Sequence, residues 1–220
     1  MTKSAGRVAP LSSAQRGLWL LDRLYPGEPL YNEVQSVRLI GRLDPIALEA
    51  AFAASVRRHE ALRTVFRLDA GAPTQVVLPD GGLLFETVDL RALPAGTRDS
   101  AALTRARAAA RRPFDLATGP LLRATLLRLD DSEHWLVVVI HHIVTDGWST
   151  GVLWAEVGAG YASRRDGWPL ELPPLPMQYA DWASAEQQRL SGPAFDESLA
   201  WWTRELHALP AGSPRQSAGE

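Results

Sequence analysis

Apolar residues recur along this chain in two rhythms, every third or fourth position in some stretches and continuously or alternately in others, which predicts helices interleaved with strands. Ser12 or Ser13 can satisfy the free amide donors of a first helical turn, so a helix is expected to run from there to about Leu24, with Leu18, Leu21 and the Trp19 neighbourhood on its apolar side. Pro26-Gly27 marks a turn. Val34 to Ile40 then reads as a strand that Gly41 ends. Asp44-Pro45 sets a capping carboxylate before a proline already at helical φ, and Leu48, Phe52 and Val56 follow on one face of a helix reaching His59.

Thr64 to Leu68, Thr74 to Leu78 and Leu84 to Val88 have the character of strands parted by Gly and Pro turns, and the alanine- and arginine-rich stretch Arg98 to Arg112 that of a helix stopped by Pro113. Two β-rich runs follow, Leu121 to Leu129 and His134 to Ile143. Their link, Asp130-Asp131-Ser132-Glu133, is short enough for an antiparallel hairpin. The continuous run Trp135 to Ile140 belongs inside a sheet covered on both faces. Ser149 to Ser163 is expected to be helical despite its glycines, and the prolines of Pro169 to Pro176 demand an extended connector. Helices are expected again around Met177 to Leu190 and Ala194 to Leu209. Residues 210–220, small and polar, suggest a flexible tail to a unit spanning 1–209, with no internal repeat and no boundary dividing it.

With 220 residues, 46% hydrophobic and 22% charged, the chain can bury a proper core as one domain or one lobe of a larger one. A net charge of -2 without a long basic run gives no reason to expect nucleic acid as a partner; small or protein-tethered substrates fit better. The absence of cysteine excludes disulfides, thiolate metal sites and a cysteine nucleophile, and is compatible with the cytosol. No apolar stretch follows Lys3 and Arg7, and Trp135 to Ile140 is too short to cross a bilayer. A soluble, cytoplasmic protein with no membrane partner is expected.

The segment richest in chemistry is His141-His142-Ile143-Val144-Thr145-Asp146-Gly147-Trp148-Ser149, which passes from a buried strand through a glycine turn into a helix. Neighbouring strand residues face opposite ways, so only one of His141 and His142 sits readily in a given cavity, and a shared metal ion is not expected. A histidine with a pKa of about 6.5 can accept or donate a proton at neutral pH, which would suit attack by an amine on a thioester. Asp146 can orient His142, hold an arginine or tie down the turn. Gly147 can permit positive φ or a close approach of substrate to backbone. Trp148 can pack beneath the turn or, with Ser149, line a substrate channel, although Ser149 most simply caps the next helix. Arg58, His59 and Glu60 taken alone are the polar end of an amphipathic helix, and Ser13, Gln15 and Trp19 are cap and packing residues.

The segment matches the H-H-x-x-x-D-G signature of nonribosomal peptide synthetase condensation domains and of related acyltransferases. Further stretches resemble that family in order along the chain. Leu11 to Leu20 is similar to its first motif, and Arg58 to Phe66, Arg-His-Glu-Ala-Leu-Arg-Thr-Val-Phe, to its second. Arg112-Pro113-Phe114-Asp115-Leu116 followed by Gly119-Pro120-Leu121-Leu122-Arg123 resembles the segment before the histidine strand, Tyr179-Ala180-Asp181-Trp182-Ala183 the fourth motif, and Trp201-Trp202 a usual aromatic pair. Ser184-Ala185-Glu186 departs from it, standing where an aromatic and a glutamine are usual.

The resemblance implies an α/β fold, a mixed, largely antiparallel sheet flanked by helices, forming one chloramphenicol acetyltransferase-like lobe, the N-terminal of the two in a complete condensation domain. It implies His142 as principal active-site histidine, acting as base or as positioner of the amine. Asp146 looks like the partner of an arginine, Arg63 first and Arg58 second, with His141 and Gly147 shaping the site. No cofactor would be bound intrinsically; substrates would arrive on the 4'-phosphopantetheine of acyl or peptidyl carrier proteins. No segment resembles the later motifs, so a second lobe in cis or trans is an expected partner, and turnover alone is expected to be small because tethered reactants must be held in register. A standalone homo-oligomeric acyltransferase and a non-catalytic carrier-binding remnant are the rival readings, with a metal-dependent hydrolase behind them.

Overall fold

Arg7–Pro10 forms a short strand, β1, in a computed structural model that describes residues 6–207. Ser12 then opens α1 (Ser13–Leu24) with a capping box: its Oγ accepts from Gln15 N at 3.1 Å, while the Gln15 side chain accepts from Ser12 N at 3.0 Å. Strand β2 (Asn32–Ile40) leads to α2 (Pro45–Arg58), where the Asp44 carboxylate accepts from Ile46 N and Ala47 N as the Asp-Pro pair predicts. A 3-10 turn, Glu60–Arg63, precedes β3 (Thr64–Asp69), β4 (Ala72–Val77) and β5 (Leu84–Asp89). Next come α3 (Ala95–Arg111), the hairpin β6 (Leu122–Asp130) and β7 (Glu133–His141), and a second 3-10 turn, His142–Val144. Helices α4 (Gly147–Asp166), α5 (Tyr179–Leu190) and α6 (Pro193–His207) complete the described chain. Among the described residues no helix is long and apolar enough to cross a membrane.

The strands divide between two sheets. One has the order β1-β4-β3 and is antiparallel throughout; the other has the order β2-β7-β6-β5 and is antiparallel except for β5 beside β6. That parallel pair needs a crossover, which α3 supplies in a β-α-β unit. Leu136, Val138 and Ile140 of β7 join Phe52 and Val56 of α2 and Leu153 and Val157 of α4 in one core cluster. Val137 and Val139 point the other way, to Leu127, Leu90 and Ala102 of α3. Helices thus cover β7 on both faces, the reason its apolar run is unbroken.

Several expectations shift. Arg7–Pro10 pairs with β4 although it carries a proline and its partner lies far along the chain, a pairing that local pattern does not signal. The strand expected to reach Ile143 ends at His141, because the backbone turns into the 3-10 segment. Helices α3 and α4 both start earlier than expected, at Ala95 and Gly147. The tail at 210–220, and the expected end of the last helix at Leu209, lie outside the described residues.

Candidate active site

The end of β7 separates the two histidines, His141 being the last residue of the strand and His142 the first of the turn. The His141 N–H donates to Leu121 O at 3.0 Å, and its buried ring stands against Phe114 and Tyr31. Ring Nδ1 accepts from Ile143 N at 3.1 Å, so the imidazole itself fastens the 3-10 turn, and the neutral tautomer carries its proton on Nε2. Burial, then the neighbouring His142, pushes this ring down to about 4.

Stability should therefore depend on pH through this ring. Unfolded His141 takes up a proton below about pH 6.5 and the folded ring only below about pH 4, so its contribution is fully present above the unfolded value and is lost as pH falls through that interval. His134, lowered chiefly by burial, acts in the same direction. Urea unfolding is expected to show His141 contributing a loss of about 2 kcal/mol between pH 7 and pH 5, before carboxylates titrate. His141→Gln should flatten that slope; an unchanged slope would refute the assignment.

His142 begins the turn. Its backbone N–H donates to Tyr31 O at 2.9 Å, and its side chain, 40% exposed, opens onto a cavity of about 700 Å3. Leu18, His59, Val152, Met177 and Tyr179 also line this space. Nδ1 lies 2.6 Å from Glu33 Oε1, off the axis of a ring N–H, so carboxylate and imidazole approach closely without an aligned hydrogen bond. Glu33 was not among the expected site residues. It precedes the segment read as a strand from sequence, and only the β2–β7 register, in which Glu33 faces Ile140, carries it to the histidine.

Asp146 takes the third of its possible roles. As N-cap of α4 its carboxylate accepts from Ser149 N at 2.7 Å, and its carbonyl accepts from Thr150 N at 2.9 Å. The Ser149 backbone N–H, with smaller help from the charge of His142, holds the carboxyl below its ordinary range. The expected arginine partner is not found among the described residues. Arg63 donates to Leu78 O and meets Glu60 at 3.5 Å, while Arg58 donates to Glu156 Oε1 at 3.0 Å and to Pro173 O. Each guanidinium has a nearer acceptor, and neither lines the cavity.

The start of α4 also departs from expectation. Gly147 has no positive φ and meets nothing where a side chain would project; it is the first residue of α4. Trp148 is not packed beneath the turn but stands 85% exposed on the cavity lining, and Ser149, also on the lining, is not the cap but lies within the first helical turn.

Another wall carries residues that sequence had assigned to a merely polar helix end. His59 Nε2 lies 2.7 Å from Glu156 Oε2, and Glu156 is buried in α4. Gln178 donates to Arg58 O and accepts from Glu60 N, both at 3.0 Å, and Tyr179 OH meets Ser12 Oγ at 3.0 Å. These bonds hold the end of the proline-rich connector and the start of α5 against α1 and the Glu60–Arg63 turn. Glu156 was not among the expected site residues; its place opposite His59 depends on the packing of α4 against α2.

Residues 5–218 match the family described as Condensation domain. The chain belongs to this family, as the N-terminal lobe of a nonribosomal peptide synthetase condensation domain. It is 44% identical over 204 residues to phosphinothricin tripeptide synthetase PhsC of Streptomyces viridochromogenes, covering 91% of this chain and 18% of that protein. Over 213 residues it is 42% identical to chondramide synthase cmdD of Chondromyces crocatus, covering 94% of this chain and 5% of that one. The starter condensation domain of rhizomide synthetase RzmA shares the fold, with a TM-score of 0.84 at 23% identity over 93% of this chain and 49% of that one. A chain in the complex of the X-domain and OxyB from teicoplanin biosynthesis gives a TM-score of 0.76 at 31% identity, over 96% of this chain and 46% of that one. The chain therefore spans about half the length of these solved chains and a small part of the curated relatives.

Proposed function

We propose that this chain supplies the histidine-bearing half of a site that joins an acyl or peptidyl group to an aminoacyl group, each carried as a thioester on the 4'-phosphopantetheine of a carrier protein. The observation that carries this reading is His142 opening, at the end of a covered strand, onto a cavity of about 700 Å3. In the step itself the amine nitrogen attacks the thioester carbonyl, a C–N bond forms, the C–S bond breaks, and the amine proton ends on the departing thiolate. His142 accepts that proton or holds the amine in line through Nε2. Glu33, with Oε1 2.6 Å from Nδ1, stabilises positive charge developing on the ring. The chain binds no cofactor of its own in this scheme, since the arm arrives with the substrate.

Turnover is proposed to require a second condensation lobe, in cis or in trans, working in the cytoplasm with the carrier proteins. Two observations support this. The chain spans about half of the solved chains it resembles, and Leu199, Trp201, Trp202 and Leu206 of α6 stand exposed. Reconstitution with loaded donor and acceptor carriers should give amide product with a second-lobe polypeptide and at least about 100-fold less without it, because orientation supplies much of the rate. Equal, robust product formation by the chain alone would overturn the requirement, and no product in either case would overturn the reaction assigned.

A further inference from the structure

The cavity holds a second imidazole that the proposed reaction does not use. His59, at the C-terminal end of α2, shares the lining with His142. Its Nε2 meets Glu156 Oε2 at 2.7 Å, while the other oxygen of the same buried carboxylate accepts from Arg58 Nε at 3.0 Å. A carboxylate already holding a guanidinium can only accept, so Nε2 of the neutral ring bears the proton and Nδ1 is left with a lone pair. That nitrogen has no hydrogen-bond partner among the described residues, and it is not one of the polar atoms sealed from solvent. Leu18, Leu62, Val152 and Met177 are among the apolar groups around the same space.

In its neutral form a ring that lines this mostly apolar cavity offers an acceptor that only water or a donating ligand satisfies, and a donating ligand orients itself on it. We propose that His59 is a second substrate-contacting residue, its Nδ1 accepting a hydrogen bond from an amide N–H of the pantetheine-type arm of a bound thioester. This rests on the reading of the cavity as a thioester site. The amide is the favoured donor because it offers a proton without competing for one, whereas the attacking amine is the group assigned to His142.

The test uses the chain labelled with 15N in its imidazoles, titrated with an S-acyl N-acetylcysteamine and with the same thioester bearing an N-methyl amide, which cannot donate. The His59 Nδ1 resonance should move with the first compound and stay still with the second. His59→Phe should weaken binding of the first about fivefold and leave the second unchanged, while His59→Asn, which sets an amide oxygen near the place of Nδ1, should bind both as the parent does. The Asn variant keeps the test open should the Phe variant fail to fold. If the His142 resonance responds while His59 stays still, or if His59→Phe keeps the parental preference for the N–H compound, His59 has no such role. If neither imidazole responds to either thioester, the cavity does not take the arm, and both the contact and the reading beneath it fall.

Discussion

His142→Ala, made in the chain completed by a second condensation lobe, is expected to lower amide formation by about 100-fold or more, the usual scale for losing a positioned acid-base group. Folding should hardly change. The ring is 40% exposed, and the contacts that fasten this turn are the backbone N–H of residue 142 on Tyr31 O and the His141 ring on Ile143 N. Unfolding free energies of variant and parent from urea titration should therefore agree to within about 0.5 kcal/mol, as for other surface substitutions. His142→Gln separates the two roles open to the imidazole: an amide can still hold the amine in line but cannot take its proton. Activity restored by Gln would assign positioning; activity lost equally in both would assign proton transfer. Full activity in the Ala variant would remove His142 from the chemistry.

Phe52→Ala has the largest expected effect on stability. Phe52 is fully buried in α2, with the rings of Phe85 and Trp154 each centred 6.1 Å away, the latter edge-on. Removing a buried aromatic ring costs its transfer energy and leaves a cavity, together about 3–5 kcal/mol. Against a typical domain stability of about 5–15 kcal/mol, that is a large fraction. The loss falls between α2, whose C-cap is His59, and α4, whose N-cap is Asp146, so the walls of the cavity should loosen with it. Denaturant titration checks this, and a loss below about 1 kcal/mol would mean that Trp154 and Phe85 close the gap on their own.

Most helices and strands could be read from local pattern because their causes are local. The Asp44-Pro45 pair starts α2, and the short link after Asp130 folds back as a hairpin; His141 and His142 do part, but because β7 ends at His141 and the turn begins at His142, not by alternation within one strand. Features that depend on distant partners were not legible. Strand β1 exists because it meets β4, and Glu33 reaches His142 only through a sheet register. Likewise the arginine expected beside Asp146 came from the family resemblance, whereas the folded chain gives Arg58 and Arg63 closer acceptors at Glu156 and at Leu78 O. The same pairing with Glu156 turns His59 from the polar end of a helix into part of the cavity wall.

The most direct measurement is alkylation by a pantetheine arm tipped with a bromoacetyl group, followed by peptide mapping. With no cysteine in the chain, imidazoles are the foremost targets, and His207, exposed on α6, serves as an internal reference for untargeted reaction. His142 should be modified well ahead of His207, excess plain pantetheine should suppress that reaction, and the buried His141 should remain untouched. Modification of His142 no faster than His207, or unaffected by pantetheine, would contradict a cavity built to bring a tethered thioester to that ring.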